Sequence, residues 1–233
     1  MEKIKQYRQG ARDGIPIALG YFAVSFAFGM MAVTGGLSAL EASLISLVNV
    51  TSAGQFAGLQ IIFAGGTYLE MALTQFVINL RYALMSFSLS QKLDRSESFA
   101  CRYLAAFGVT DEIFGITASK KDTPSVFYMY GAMSVAIPGW VLGTFFGGVS
   151  GAILPHAVLS ALGLAIYGMF LAIIIPPAKH ERDVAAVVAA AFFLSALLYY
   201  VPALSFISSG FAIIIVTVAI SAGAAALCGD SGK

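Results

Sequence analysis

The chain has 233 residues, 59% of them hydrophobic and 11% charged, with a formal net charge of +1. Soluble domains are about one quarter charged, so this composition excludes an ordinary globular domain and points to several membrane-spanning segments. The near-zero charge offers no field for nucleic acid. Cys101 and Cys228 lie far apart with no CxxC or His spacing, and His156 and His180 form no HExxH pattern. The cysteines read as free thiols, and neither a metal nor a cofactor is expected.

In chain order, residues 1–14 (MEKIKQYRQGARDG) precede an apolar run from Ile15 to about Val33. That run exceeds the 7–15 residues or so of a signal-peptide core, so it reads as a retained first helix starting in the cytoplasm. Further apolar segments fall at roughly 40–64, 68–90, 98–118, 125–147, 155–176, 184–202 and 207–228, before a short tail at 229–233. Each can cross a hydrocarbon core of about 30 Å as a helix. Lipid leaves open strands without partners, so helix is the expected state. The expected fold is therefore all-α: a polytopic membrane protein with about eight helical segments, forming one membrane domain over 15–228.

The sparse charges bear on topology. Lys3, Lys5, Arg8 and Arg12 precede the first segment; Lys92, Arg95 and Arg102 follow the third; Lys120 and Lys121 follow the fourth; Lys179 and Arg182 follow the sixth. The positive-inside rule asks for all of these in the cytoplasm, yet eight simple crossings place the 91–102 loop outside. Making 40–64 and 98–118 re-entrant pairs of half-helices removes the conflict. Accepting one violation is the other solution, and the sequence leans slightly to that one, eight full helices. The second segment invites a break in either case. Asn49, Thr51, Ser52, Gly54 and Gln55 cluster at its centre, as in tight helix packing or an unwound turn. Thr51, Ser52 and Gly54 are the break candidates. A faint repeat pairs Ile15-Pro16 with Ile137-Pro138, and SAGQF at Ser52 with IYGMF at Ile166, which suggests two weakly related, parallel three-helix units.

The stretch QFVINLRYALMS (Gln75–Ser86) carries polar residues deep in an apolar segment. At helical spacing, Gln75, Asn79, Tyr82 and Ser86 share one stripe, and Glu70, Thr74, Arg81 and Ser88 a neighbouring one. Such a helix faces the interior. An unpaired Arg81 costs at least about 2.5–3.5 kcal/mol on insertion scales, so a carboxylate partner is expected. Asp111 and Glu112 are the candidates deep in another segment, whereas Glu41 and Glu70 sit near segment ends where water reaches. Adjacent helical positions diverge by about 100°, so one carboxylate pairs with Arg81 and the other is left to face a cavity and carry a proton. Among weaker marks, Pro176-Pro177 is a helix stop, Trp140 reads as a packed aromatic, and Ile137-Pro138-Gly139 is a kink candidate.

SAGQF (Ser52–Phe56), the NLR of INLRYALMSFSL (Asn79–Arg81) and VTDEIF (Val109–Phe114) together resemble the AzlC family, the large subunit of branched-chain amino acid exporters. The resemblance is best between Pro16 and Thr117. One departure is Tyr82, where many members carry His; a Tyr does not titrate near neutral pH. The resemblance implies export of leucine, isoleucine and valine, extending to methionine or toxic analogues, across a bacterial cytoplasmic (inner) membrane. A small hydrophobic AzlD-type subunit is the implied partner, with Gly147–Ala152 and Ala219–Ala226 as docking candidates or lipid contacts. A zwitterionic substrate needs an anion site, a cation site and an apolar pocket. Arg81 suits the carboxylate; Asp111 or Glu112 suits the ammonium or a proton; Gln55 and Asn79 suit neutral hydrogen bonds; Phe56 and Phe76 suit apolar walls. The same polar core would serve a permease or channel for another small zwitterion, or a non-catalytic assembly subunit. No GxSxG, HExxH or Cys/His pairing suggests an enzyme.

Overall fold

The structure, a computed structural model, describes residues 2–94, 97–151, 171, 175, 178–204 and 206–228. Its helices are α1 (Glu2–Thr34), α2 (Ala39–Val48), α3 (Ser52–Phe63), α4 (Tyr68–Lys92), α5 (Phe99–Ala106), α6 (Asp111–Ala118), α7 (Val126–Gly151), α8 (Arg182–Tyr200) and α9 (Ser209–Cys228). Among the described residues there is no strand. The expected sixth segment lies outside the described residues except for Leu171 and Ile175, and so do Pro176-Pro177, the Ile166–Phe170 piece of the repeat, Ala152 and the 229–233 tail. Three described helices, α1, α7 and α8, are long and apolar enough to cross a membrane. The chain packs as two compact units, 1–55 with 79–159 and 56–78 with 160–233.

In the first unit, α1 and α7 run parallel and close together. Ala18 lies against Gly139, Phe22 against Gly143 and Phe26 against Gly147, at almost the offset that separates Ile15-Pro16 from Ile137-Pro138. Glycines at every fourth position let the backbones touch, as in small-xxx-small membrane packing. A Cβ at Gly139 would stand 2.7 Å from the Ala18 carbonyl oxygen, and one at Gly147 would overlap the Phe26 carbonyl. Gly147 and Gly148 are therefore buried inside the unit, and they form no outward docking stripe. Both helices continue through their prolines, Pro16 and Pro138. At 33 residues, α1 is about 50 Å long, so its charged first turns project beyond its apolar part.

The second and fourth apolar segments are both broken. A capping box of Ser38 and Glu41 starts α2, which ends at Asn49. The Thr51 hydroxyl then accepts the Gly54 N–H at the start of α3. Gln55 Nε2 donates to Ser46 Oγ at 2.7 Å. Nine residues along a continuous helix span about 13.5 Å, too far for these side chains to meet, so the chain reverses at 49–51. The fourth segment reverses at 107–110, where Thr110 caps α6. Both outer ends of this second hairpin lie by the end of α4: Arg102 donates to the Ser90 carbonyl and Lys92 to the Ala118 carbonyl. Eight full helices are thus ruled out for these two segments. Asn, Thr and Asp side chains compete with helical backbone hydrogen bonds and favour caps.

The hairpin at α5–α6 also settles how the charges sort. Lys3 pairs with Glu97 at 3.4 Å and Lys120 with Asp13 at 3.0 Å. The N-terminal turns, the α4–α5 connection and the α6–α7 connection therefore share one end of the unit. Partial burial pulls the Asp13 carboxyl up, but hydrogen bonds from Lys120 and Tyr128, with the charges of Lys120 and Arg12, outweigh it and hold the group below its ordinary value.

In the second unit, α3 continues past Gly58, which faces Gln75 and Met71 of α4. Glu70 is buried at 4% exposure and does not sit at a wet end. Its carboxylate accepts the Gly210 N–H at 2.9 Å and the Ser208 hydroxyl. It caps the first turn of α9, where helix N–H groups lack internal partners.

Candidate functional site

The two hairpin tips reach the same short stretch of α4. At one tip, Tyr82 donates to Thr51 Oγ1 at 3.3 Å. At the other, Arg81 Nη1 lies 2.9 Å from Asp111 Oδ2. Arg81 Nη2 also contacts Tyr82 OH at 3.3 Å, which completes a polar path from Thr51 to Asp111. The Arg81 and Asp111 side chains are each 43% exposed, so this pair is half-open where a buried one was expected. The opening follows from position: Asp111 is the first residue of α6, at a hairpin tip.

Glu112 faces another way. Its Oε2 accepts from Tyr21 OH at 2.5 Å, and the phenol also lies 2.6 Å from Thr110 Oγ1. A phenol has one proton. Donating it to the carboxylate leaves the phenol oxygen to accept from Thr110, whose own oxygen caps Ile113 N–H. Each hairpin's capping threonine is thus held by a tyrosine from a continuous helix, Thr51 by Tyr82 and Thr110 by Tyr21. The 100° divergence of successive helical positions separates the two carboxylates. Asp111 meets a cation, while Glu112 meets a phenol.

Gln55 is placed differently from a ligand-facing residue. It is 2% exposed, with its amide shared between Ser46 and the Trp140 indole, which donates to Gln55 Oε1 at 2.6 Å. Ser46 and Thr144 hydroxyls lie 2.6 Å apart. This network fixes the α2–α3 hairpin onto α7. Asn79 is half-buried on α4, and Ser52 and Gly54 form the first turn of α3. Phe56, buried, and Phe76, 65% exposed, belong to the second unit.

Sequence reasoning missed Tyr21, Ser46 and Thr144. Nothing local marks a tyrosine or a small hydroxyl residue in an apolar run as a partner for a residue about 90 positions away. Thr110 did carry a signal: Thr followed by Asp-Glu is a helix N-terminus signature.

The paired broken segments, the half-exposed Arg81–Asp111 pair and the apolar spans define a polytopic α-helical membrane protein. The family model described as AzlC protein matches residues 16–154, more than half of the chain. The chain belongs to the AzlC family. It is 32% identical over 189 residues to an uncharacterized membrane protein of Archaeoglobus fulgidus, covering 80% of this chain and 83% of that one. It is 30% identical over 184 residues to the inner membrane protein YgaZ of Escherichia coli, covering 76% and 75%. A membrane protein of Helicobacter pylori is 25% identical over 185 residues, covering 77% and 78%. No solved structure matches. These relationships are consistent with a membrane transporter.

Proposed function

We propose that the chain exports leucine, isoleucine, valine and similar apolar amino acids across the bacterial cytoplasmic membrane, together with a small AzlD-type membrane subunit. The observation that carries this reading is the Arg81–Asp111 pair. A cation and an anion stand 2.9 Å apart, both half-exposed, between two hairpin tips. A zwitterionic amino acid presents the complementary pair. Its carboxylate can take guanidinium donors bidentately, and its ammonium can take Asp111, so substrate exchanges partners with the resident ion pair. The first turn of α3 adds a favourable dipole for the carboxylate, as at broken helices in transporters. The shared basic end then faces the cytoplasm by the positive-inside rule, which puts the N-terminus inside.

The test is efflux of labelled leucine from proteoliposomes holding this chain alone or with its small partner. Leucine efflux that needs both chains and is lost in Arg81→Ala is the expected result. In a refolding assay, Asp111→Asn is expected to restore folding to any Arg81→Ala protein that misfolds, because the pair is then neutralised on both sides. Normal leucine efflux by Arg81→Ala would refute the role of the pair. No leucine flux with either composition would refute the substrate, and a screen of other small zwitterions would follow.

A further inference from the structure

We propose that the outward strip of α1 binds an anionic phospholipid of the surrounding membrane. Arg8 and Arg12 hold its phosphate, and its acyl chains lie along Ile15, Leu19 and Ala23. This lipid site is separate from the Arg81–Asp111 pair and does not depend on the export reading.

The two sides of α1 have different surroundings. On the inner side Tyr7 lies against Gly131, Gly10 against Tyr128, Gly14 against Ala132 and Ala18 against Gly139. Lys3 and Asp13 are spent on Glu97 and Lys120. Lys5, Arg8, Arg12, Ile15, Leu19 and Ala23 follow one another at spacings of three and four, so they share one stripe of the helix. All six are exposed, Leu19 at 69%. Among the described residues, Lys5, Arg8 and Arg12 form no ion pair. The nearest carboxylate to Arg12, that of Asp13, is already held by Lys120 and Tyr128.

The strip has two distinct ends and a definite length. Past Ala23 the helix sinks into the unit, with Ser25, Ala27, Phe28 and Met30 buried. From Arg12 to Ala23 the helix rises about 16 Å, close to the roughly 15 Å of hydrocarbon in one leaflet. Arg8 lies a further 6 Å or so below Arg12, within the layer of about 5–7 Å that headgroups occupy on each side. Basic side chains therefore stand at phosphate depth, directly beneath apolar ones at acyl depth. At the outer end, an open hollow lined by Glu2, Ile4, Lys5 and Arg8 continues the strip. Guanidinium groups bind phosphate oxygens in pairs. A zwitterionic lipid carries its own cation and gains less from them, so the strip selects for net negative charge.

The test equilibrates the full-length chain in detergent with equal amounts of phosphatidylglycerol and phosphatidylcholine of the same acyl chains, and counts retained lipid by native mass spectrometry. Wild type is expected to retain phosphatidylglycerol preferentially. Removing both charges in Arg8→Gln with Arg12→Gln is expected to weaken that retention about 25-fold, about fivefold for each basic residue, with phosphatidylcholine unaffected. Lys121→Gln removes the same charge at the same end of the unit but off the strip, and is expected to keep the preference. Leu19→Gln is expected to weaken both lipids. Equal retention of the two lipids by wild type, or an equal loss in Lys121→Gln, would overturn the proposal. So would competition by glycerol phosphate as strong as that of the lipid, which would mark a site for a free anion. A lipid-free wild-type dimer that the double variant dissociates would also overturn it, by assigning the strip to a second copy. If circular dichroism shows the double variant misfolded, Arg8→Gln alone is expected to lose about fivefold, and unchanged retention there overturns the proposal.

Discussion

Gln55 separates packing from binding most cleanly. Its amide is buried at 2% exposure between Ser46 and Trp140. Gln55→Leu nearly conserves volume and removes both hydrogen bonds. Ser46 keeps Thr144 as a partner, but the Trp140 N–H is left buried and unsatisfied, at a cost of about 1–3 kcal/mol. For a chain of this length each kcal/mol lowers the melting temperature by about 2–4 °C, so the expected fall is about 2–12 °C. Gln55→Ala adds lost packing, about 2–5 kcal/mol for comparable large-to-alanine truncations in cores, and falls further. The assay is thermal denaturation in detergent, followed by helical circular dichroism and by Trp140 emission. Unchanged melting and unchanged emission in Gln55→Leu, with substrate binding lost, would refute the packing role and return Gln55 to the substrate.

Three further outcomes follow from the same structure. Gly147→Val forces a side chain into the Phe26 carbonyl and is expected to separate α1 from α7, at about 1–3 kcal/mol or more for overpacking; a melting temperature equal to wild type would contradict the close approach. Asp13 is held below its ordinary carboxyl value by Lys120 and Tyr128 despite partial burial. The stability it contributes is therefore full above that ordinary value and is lost as pH falls through the depressed one, so Asp13→Asn should melt below wild type at neutral pH and converge with it in strong acid; a gap that widens in acid would show the opposite sign. Single cysteines placed at Lys3, Glu97 and Lys120 should label with an impermeant maleimide from the same side of the membrane, and labelling of Glu97 from the opposite side would break the α5–α6 hairpin.

Composition and patterning alone set the class: low charge and repeated apolar runs leave a helical membrane bundle as the solution in which the backbone satisfies its own hydrogen bonds. They also located the polar centre, because an intramembrane Arg81 demands an acceptor, and few carboxylates lie at depth. The small and hydroxyl residues of 49–55 marked that stretch as fragile. Packing between distant residues decided the rest. Whether 40–64 and 98–118 cross or return depends on contacts such as Lys92 with Ala118, which no local pattern encodes. The same holds for the separate roles of Asp111 and Glu112: helical geometry says they diverge, but only the placement of α1 says that Glu112 meets Tyr21. Gln55 shows the reverse case, since a glutamine in a small-residue stretch suits a ligand site and a packing network equally, and its burial against Trp140 is a property of the assembled helices alone.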